Sequence, residues 1–263
     1  MKFSVLMVTY DGEKEERLDK CLASIANQTL KPTETIICLD GFIKESLMRI
    51  LDKYSSRLRI RIIQNKKSSH SENLNIGLEN CSYDFIIRSD SDDISLPLRF
   101  EEQLHLLSNY GYDVVSSNSI EINNNNKRIK KVPHGLVSKN SFYRFFRNPV
   151  NHNACAFRKE SIKSFMYPSG RMEDFLLWTK VLNNNMQIYN QNKEHIIADV
   201  NNLSSRRVGK DYRKAEIKLF LLNFYQSNLS CKILSILAFL IRYPLRISFF
   251  KFILNRIYIL IRN

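Results

Sequence analysis

The stretch "IIRSDSDDISLPLRF", residues 86–100, decides how this chain folds. Phe85, Ile86 and Ile87 are apolar enough for a strand that enters a core. Asp90, Asp92 and Asp93 then fall within four positions, ahead of a helix expected over 97–109 with Pro97 in its first turn. In an open α/β sheet, ligands bind beyond the carboxyl ends of the strands. A strand that ends in carboxylates and hands over to a helix fits that plan.

The flanking sequence repeats the alternation. Phe3 to Tyr10 is a continuous apolar run of the kind a buried parallel strand requires. Leu18, Leu22, Ile25 and Ala26 then recur at helical spacing over 15–28. Strands are expected at Thr35–Leu39, Leu58–Ile63, 83–88 and Tyr112–Ser116, with helices over 43–54 and 71–80. Such an order implies a mostly parallel sheet with right-handed crossovers. Tyr10-Asp11, Asp40-Gly41 and Asp90 to Asp93 then share one rim.

Beyond residue 117 the pattern loosens. Residues 118–132 read as a hairpin with Asn123 to Asn126 at its tip. A helix over 139–147, a strand inside "NPVNHNACAFRKES" (148–161), a helix over 173–183 and a strand near 186–190 follow. These elements divide the chain into an α/β domain over 1–215 and a basic helical tail over 216–263. The domain has a nucleotide-side half, 1–117, and an acceptor-side half, 118–215.

Of the 263 residues, 40 are Lys or Arg and 26 are Asp or Glu, a net charge of +14. From Ile217 onward there is no acidic residue, so seven basic ones place half of that charge in the last 47 positions. Such asymmetry calls for an anionic partner. The tail's apolar blocks are broken by basic residues and Pro244, too short to cross a bilayer and suited to lying in an anionic membrane surface. The alternative is packing on the main domain or on a sister subunit, which leaves a homo-oligomer open. A nucleic-acid binder is not expected, because the charge sits in a greasy tail while the core keeps an acidic site. Five cysteines without a C-x-x-C pair read as small core hydrophobes. The N-terminal apolar run lacks a small-residue cleavage site, so no signal peptide is expected.

Three crowded carboxylates repel one another unless a cation is near. Mg2+ and Mn2+ favour oxygen ligands, often one or two carboxylates with substrate phosphates. Asp-x-Asp at a strand end therefore suits a metal-diphosphate site. A nucleotidyltransferase would use similar acids, but it usually carries a glycine-rich basic turn after the first strand. Asp11-Gly12-Glu13-Lys14-Glu15-Glu16 is acidic and glycine-poor.

The segments "FSVLMVTYDGEKEERLDKCLASIANQTLKPTETIICLDG" (3–41) and "NLNIGLENCSYDFIIRSDSDDISLPLRFEEQ" (73–103) resemble family 2 glycosyltransferases of the GT-A fold, nearest to bacterial amylovoran and O-antigen enzymes. "DSDDISLPLR" is similar to that family's "DADDISLP-R" block, with Ser91 in place of Ala. "NPVNHNACAFRKES", the Glu173-Asp174 pair with Trp178, and "RRVG--Y---E" at 206–216 continue the match in order. The resemblance implies a Rossmann-like sheet flanked by helices and an inverting, metal-assisted transfer from a UDP-sugar. The implied acceptor is a polyprenyl-diphosphate saccharide at the cytoplasmic face of the membrane.

Roles follow from the resemblance position by position. Tyr10 and Asp11 would contact base and ribose, and Asp40 the uracil. Leu39 replaces the first acid of the family's strand-two pair, which leaves base recognition open. Asp90 would face the ribose or sugar, and Asp92 would hold Mn2+ or Mg2+. Asp93 either orients Asp92 or caps the next helix. Asp174 is implied as the general base, a carboxylate able to accept the acceptor hydroxyl's proton. His152, Glu173, Trp178, Arg206 and Arg207 are candidate acceptor or diphosphate contacts. For Trp178 a core position, for His152 a structural role, and for the two arginines a solvated loop are the alternatives. His195 is a second candidate metal ligand.

Overall fold

β1 (Ser4–Tyr10) is buried along six of its seven residues, so its side chains must find apolar partners on both faces. In the computed structural model, which describes residues 1–123, 126–201, 208–225 and 228–247, they do. Phe3, Val5 and Met7 point into one core layer; Leu6 and Val8 point into the other. The first half runs β1, α1 (Glu15–Ala26), β2 (Glu34–Asp40), α2 (Glu45–Leu58), β3 (Ile60–Asn65), α3 (His70–Asn80) and β4 (Phe85–Asp90). Then come β5 (Ile94–Ser95), α4 (Arg99–Tyr110), β6 (Val114–Asn123), β7 (Asn126–Lys130) and β8 (Gly135–Leu136). The chain continues with α5 (Phe142–Phe146), β9 (Ala156–Arg158), α6 (Lys159–Lys163), α7 (Glu173–Asn183), β10 (Ile188–Asp199), α8 (Lys210–Tyr225) and α9 (Leu229–Arg242).

Ten strands among the described residues form one sheet, whose main path is β3-β2-β1-β4-β9-β6-β10-β5. The β3-β2-β1-β4 block is parallel, as the strand-helix alternation requires. β9 inserts antiparallel between β4 and β6 and joins the nucleotide-side half to the rest. α1, α2 and α4 cover one face of the sheet, and α3 and α7 cover the other. Gly77 lets α3 approach closely, since a Cβ there would lie 2.3 Å from Leu6 Cδ1.

Several boundaries differ from expectation. α4 begins at Arg99, so Pro97 precedes the helix and sits in the turn after β5. The two-residue β5 pairs with β10, which runs to Asp199, well past residue 190. The 118–132 hairpin is present, with Asn123 paired to Asn126; Asn124 and Asn125 lie outside the described residues. "NPVNHNACAFRKES" resolves into a 3-10 turn at His152–Ala154 followed by β9. α8 runs unbroken through residue 215, the expected domain end. All five cysteines are buried and unbridged.

α8 packs through Leu219 on Phe175 and Leu176 of α7. Buried Glu216 of α8 accepts hydrogen bonds from Arg242 at 3.0 Å and Arg246 at 2.8 Å, which pins the end of α9. No helix among the described residues is long and apolar enough to cross a membrane.

Candidate active site

Strand register brings the acidic ends together. Tyr10 stands opposite Asp40, Asp40 opposite Asn65, and Val8 opposite Asp90. Tyr10, Asp11, Asp40, Phe42, Asn65 and Lys67 line much of a cleft of about 880 Å³ at this rim. Asp40 Oδ1 accepts from the Ser68 amide at 2.7 Å and from Asn73 Nδ2 at 3.0 Å, which fixes the carboxylate at the cleft floor. Asp11 Oδ1 accepts from the Lys44 amide at 2.7 Å. Tyr10 is half exposed, and its ring fills the space beside Gly12, where a Cβ would come within 2.4 Å of it. Phe42, 90% exposed, offers a bare aromatic face at the cleft mouth.

Carboxylate oxygens of Asp90, Asp92 and Asp93 lie within 4.8 Å of one another. Burial, then the charges of Asp90 and Glu13, push the Asp92 carboxyl up to about 6. Burial and the charges of Asp90 and Asp92 hold the Asp93 carboxyl well above its ordinary value. The cluster thus carries more negative charge than its surroundings neutralise, and it presents hard oxygen donors. Those residues fit a divalent cation. Asp92, with Asp90 beside it, would hold that ion. Asp93 is only 4% exposed and accepts from Asn153 Nδ2 at 2.6 Å. The N-cap of α4 is Leu98, so Asp93 does not cap that helix.

Three arginines organise this cluster. Arg88, buried at the end of β4, pairs with Asp90 through Nη1 and donates from Nη2 to His70 Nε2 at 3.1 Å. His70 therefore carries its proton on Nδ1, and burial followed by the Arg88 charge lowers its pKa to about 4. Arg99 is fully buried and ties the loop down. It donates to the Arg88 carbonyl at 2.5 Å, to Ser95 Oγ at 2.9 Å and to the Asn153 carbonyl at 3.2 Å. Arg17 of α1 approaches Asp92. Glu13, also buried, accepts from Ser91 Oγ at 2.6 Å and holds the turn between the acids. Arg99 is the arginine of the matched "DSDDISLPLR" block, with no role implied there, and sequence reasoning assigns none to Arg17, Arg88, His70 or Glu13. A basic residue inside an otherwise apolar strand, as Arg88 is, was the available signal, because buried charges are paired.

Glu173 and Asp174 open α7, where the helix dipole favours negative charge. Met172 precedes them at φ 60°, an uncommon conformation for a non-glycine residue, and sets the angle of entry. Asp174 Oδ2 accepts from Asn148 Nδ2 at 2.8 Å, and Oδ1 from the Phe175 amide at 2.8 Å. Burial and then the Asp174 charge raise Glu173 to about 7, while Arg88 draws it down. Arg88 thus acts on both Asp90 and Glu173.

Trp178 is 0% exposed and packs in the core under α7, so it has no face open to a sugar; the core alternative is the correct one. His152 is half-buried between Tyr167 and Trp178, with ring centroids 5.4 and 5.7 Å away. Burial and the Arg88 charge hold it neutral. Both its ring nitrogens, the Tyr167 hydroxyl and Trp178 Nε1 are buried without hydrogen-bond partners among the described residues. His195 Nε2 lies 3.4 Å from Glu102 Oε2, and the acidic group that could hold an ion does not include it. Arg206 and Arg207 lie outside the described residues.

Residues 4–166 match the family model described as Glycosyl transferase family 2. The chain belongs to that family. Among family 2 relatives, the amylovoran biosynthesis glycosyltransferase AmsE of Erwinia amylovora is 32% identical over 232 residues, 83% of this chain and 84% of that protein. An Escherichia coli relative named UDP-Gal:alpha-D-GlcNAc-diphosphoundecaprenol beta-1,3-galactosyltransferase is 34% identical over 244 residues, 86% of this chain and 84% of that one. S. aureus TarS 1-349 superposes with a TM-score of 0.71 at 21% identity, covering 91% of this chain and 71% of that one. This likeness shows the same fold. The glycosyltransferase reading made from the motifs therefore stands, and so does the acidic Asp-x-Asp motif on which it turned.

Proposed function

We propose that this family 2 glycosyltransferase is an inverting enzyme that moves a hexose or N-acetylhexosamine from a UDP-sugar to a lipid-linked saccharide. The acceptor would be a polyprenyl-diphosphate carrier at the inner face of the cell membrane, in O-antigen, capsule or exopolysaccharide assembly. The observation that carries the reading is the convergence of Tyr10, Asp40 and Asp90 on one rim, with a nucleotide-sized cleft lined by Tyr10, Asp11 and Asp40. The E. coli relative, named for a UDP-galactose donor and a diphosphoundecaprenol acceptor, supports the substrate class.

In this reading Tyr10, Asp11 and Asp40 seat the base and ribose, and Asp90 faces the ribose or sugar. Asp92 would hold Mn2+ or Mg2+, which supplies positive charge to the departing diphosphate. Arg88 pairs with Asp90 and holds it in place. Asp174, fixed by Asn148, takes the proton of the acceptor hydroxyl as that oxygen attacks the anomeric carbon. The carbon-oxygen bond to the nucleotide breaks as the new glycosidic bond forms on the opposite face, so an α-linked donor gives a β-linked product. Glu173, His152 and the Arg206-Arg207 pair remain candidates for acceptor or diphosphate contacts.

The test is release of UDP from a panel of UDP-sugars with a synthetic diphospho-lipid acceptor, in Mn2+, Mg2+ or EDTA. One donor should turn over with metal, and Asp92→Ala and Asp174→Asn should both fail. UDP binding that is absent in every metal condition would overturn the assignment of the cleft.

A further inference from the structure

α9 faces the opposite way from an ordinary surface helix. A helix packed on a soluble domain buries its apolar stripe and exposes its polar one. Here the fully buried residues are Cys231, Ser235, Ala238 and Arg242, small or polar, with Leu234 and Phe239 half-buried beside them. Outward stand Leu229 at 75% exposure, Ile233 at 53%, Leu237 at 47% and Leu240 at 62%. α8 carries a second apolar stripe, Ile217, Leu221 and Tyr225, all exposed and spaced four residues apart. Exposed apolar surface of this kind marks an interaction site.

Charge identifies the occupant. Lys214 and Lys218 are exposed on α8, and Lys232 of α9 lies 5.4 Å from the Phe224 ring centroid. Among the described residues of the hairpin, Asp211 is the one exposed carboxylate; Glu216 is buried against Arg242 and Arg246. A second copy of the same face would set lysine against lysine. A bilayer with anionic headgroups accepts both the apolar stripe and the basic flank.

We infer that the outward face of the α8–α9 hairpin docks on an anionic lipid surface, with α9 lying in the interfacial plane. The hairpin packs on the helix that carries the candidate base. Leu219 packs on Phe175 and Leu176, and Arg246 reaches Met172 Sδ at 4.0 Å, one and two residues from Glu173 and Asp174. Docking therefore sets the tilt of α7 relative to the headgroup layer. That consequence for a lipid-linked acceptor rests on the proposed function; the docking itself does not.

Co-sedimentation of the full chain with phosphatidylglycerol-containing vesicles, against pure phosphatidylcholine vesicles, tests the inference. The protein should partition onto the anionic vesicles, and amides of 229–241 should gain protection from hydrogen exchange there. Ile233→Glu/Leu237→Glu/Leu240→Glu should lower partitioning by about tenfold or more. Because these side chains face outward, its urea midpoint and UDP binding should stay unchanged. Lys214→Glu/Lys218→Glu should weaken binding to anionic vesicles without affecting the zwitterionic control. Full vesicle binding by the triple variant would overturn the inference, and so would conversion of a dimer to a monomer with binding unaltered. Lost UDP binding in the wild type would instead count against the glycosyltransfer reading alone.

Discussion

Arg17 Nη1 lies 3.8 Å from Asp92 Oδ2, while Nη2 of the same guanidinium is bonded to Asp199. An arginine of the first helix thus lends positive charge to the carboxylate assigned here to a metal. A cation arriving at Asp92 must share that carboxylate with Arg17.

Removing the competitor should therefore tighten cation binding. Arg17→Gln is expected to bind Mn2+ about fivefold more tightly, the equivalent of about 1 kcal/mol of like-charge repulsion relieved. Its melting temperature in EDTA should fall, because Asp92 and Asp199 lose their counter-charge. Thermal-shift titration with Mn2+ checks both, and unchanged Mn2+ affinity would count against the shared carboxylate.

Asp92 makes a pH-dependent contribution. Its folded pKa of about 6 lies above the ordinary value of 3.8, so the protonated form stabilises the fold. That stability is complete below 3.8 and is lost as pH rises through 6. Asp92→Asn should therefore gain melting temperature over wild type as pH goes from 4.5 to 7.5, by about 2–4 °C for roughly 1 kcal/mol. Saturating Mn2+ at pH 7.5 should abolish the advantage by stabilising wild type alone. A constant difference across the pH range would contradict the crowding.

The two acids of α7 should separate kinetically. Asp174→Asn is expected to lose about a thousandfold in kcat while keeping UDP affinity, as loss of a general base does. Glu173→Gln should retain turnover within about tenfold, because it leaves the base in place. Its folded pKa of about 7 predicts an inflection in the wild-type pH–rate profile that this variant removes. If Glu173→Gln is as inactive as Asp174→Asn, the base assignment moves to Glu173.

Arg99 should be the most costly of the buried arginines to replace. Arg99→Met removes the buried donor to the Arg88 and Asn153 carbonyls and takes one of the two nearby cations from Asp93, leaving Arg88. A loss of about 3–5 kcal/mol in chemical denaturation is expected, with little rescue by Arg99→Lys, which lacks the planar fork.

Trp178→Phe tests the corrected role of that side chain. A buried tryptophan with an unpartnered indole nitrogen should tolerate the change for donor KM while costing about 1–3 kcal/mol of stability. A large KM increase at unchanged stability would restore the sugar-contact role.

The sequence by itself determined the strand-helix order of the first half and the rim on which Tyr10, Asp40 and Asp90 meet. Apolar runs and helical spacing are local signals, and the parallel order of β1, β2 and β4 follows from them. It also marked Asp174 and the acid cluster, because the motifs stand in order along the chain. Only the tertiary structure decided which charges neutralise which. Glu13 meets Ser91 across 78 positions, Arg17 meets Asp199 across 182, and Arg99 meets Asn153 across 54. It also decided that Trp178 is core and that α9 turns most of its leucines and isoleucines outward. Periodicity reveals that a helix has an apolar stripe; which way the stripe faces depends on what the rest of the chain has already filled.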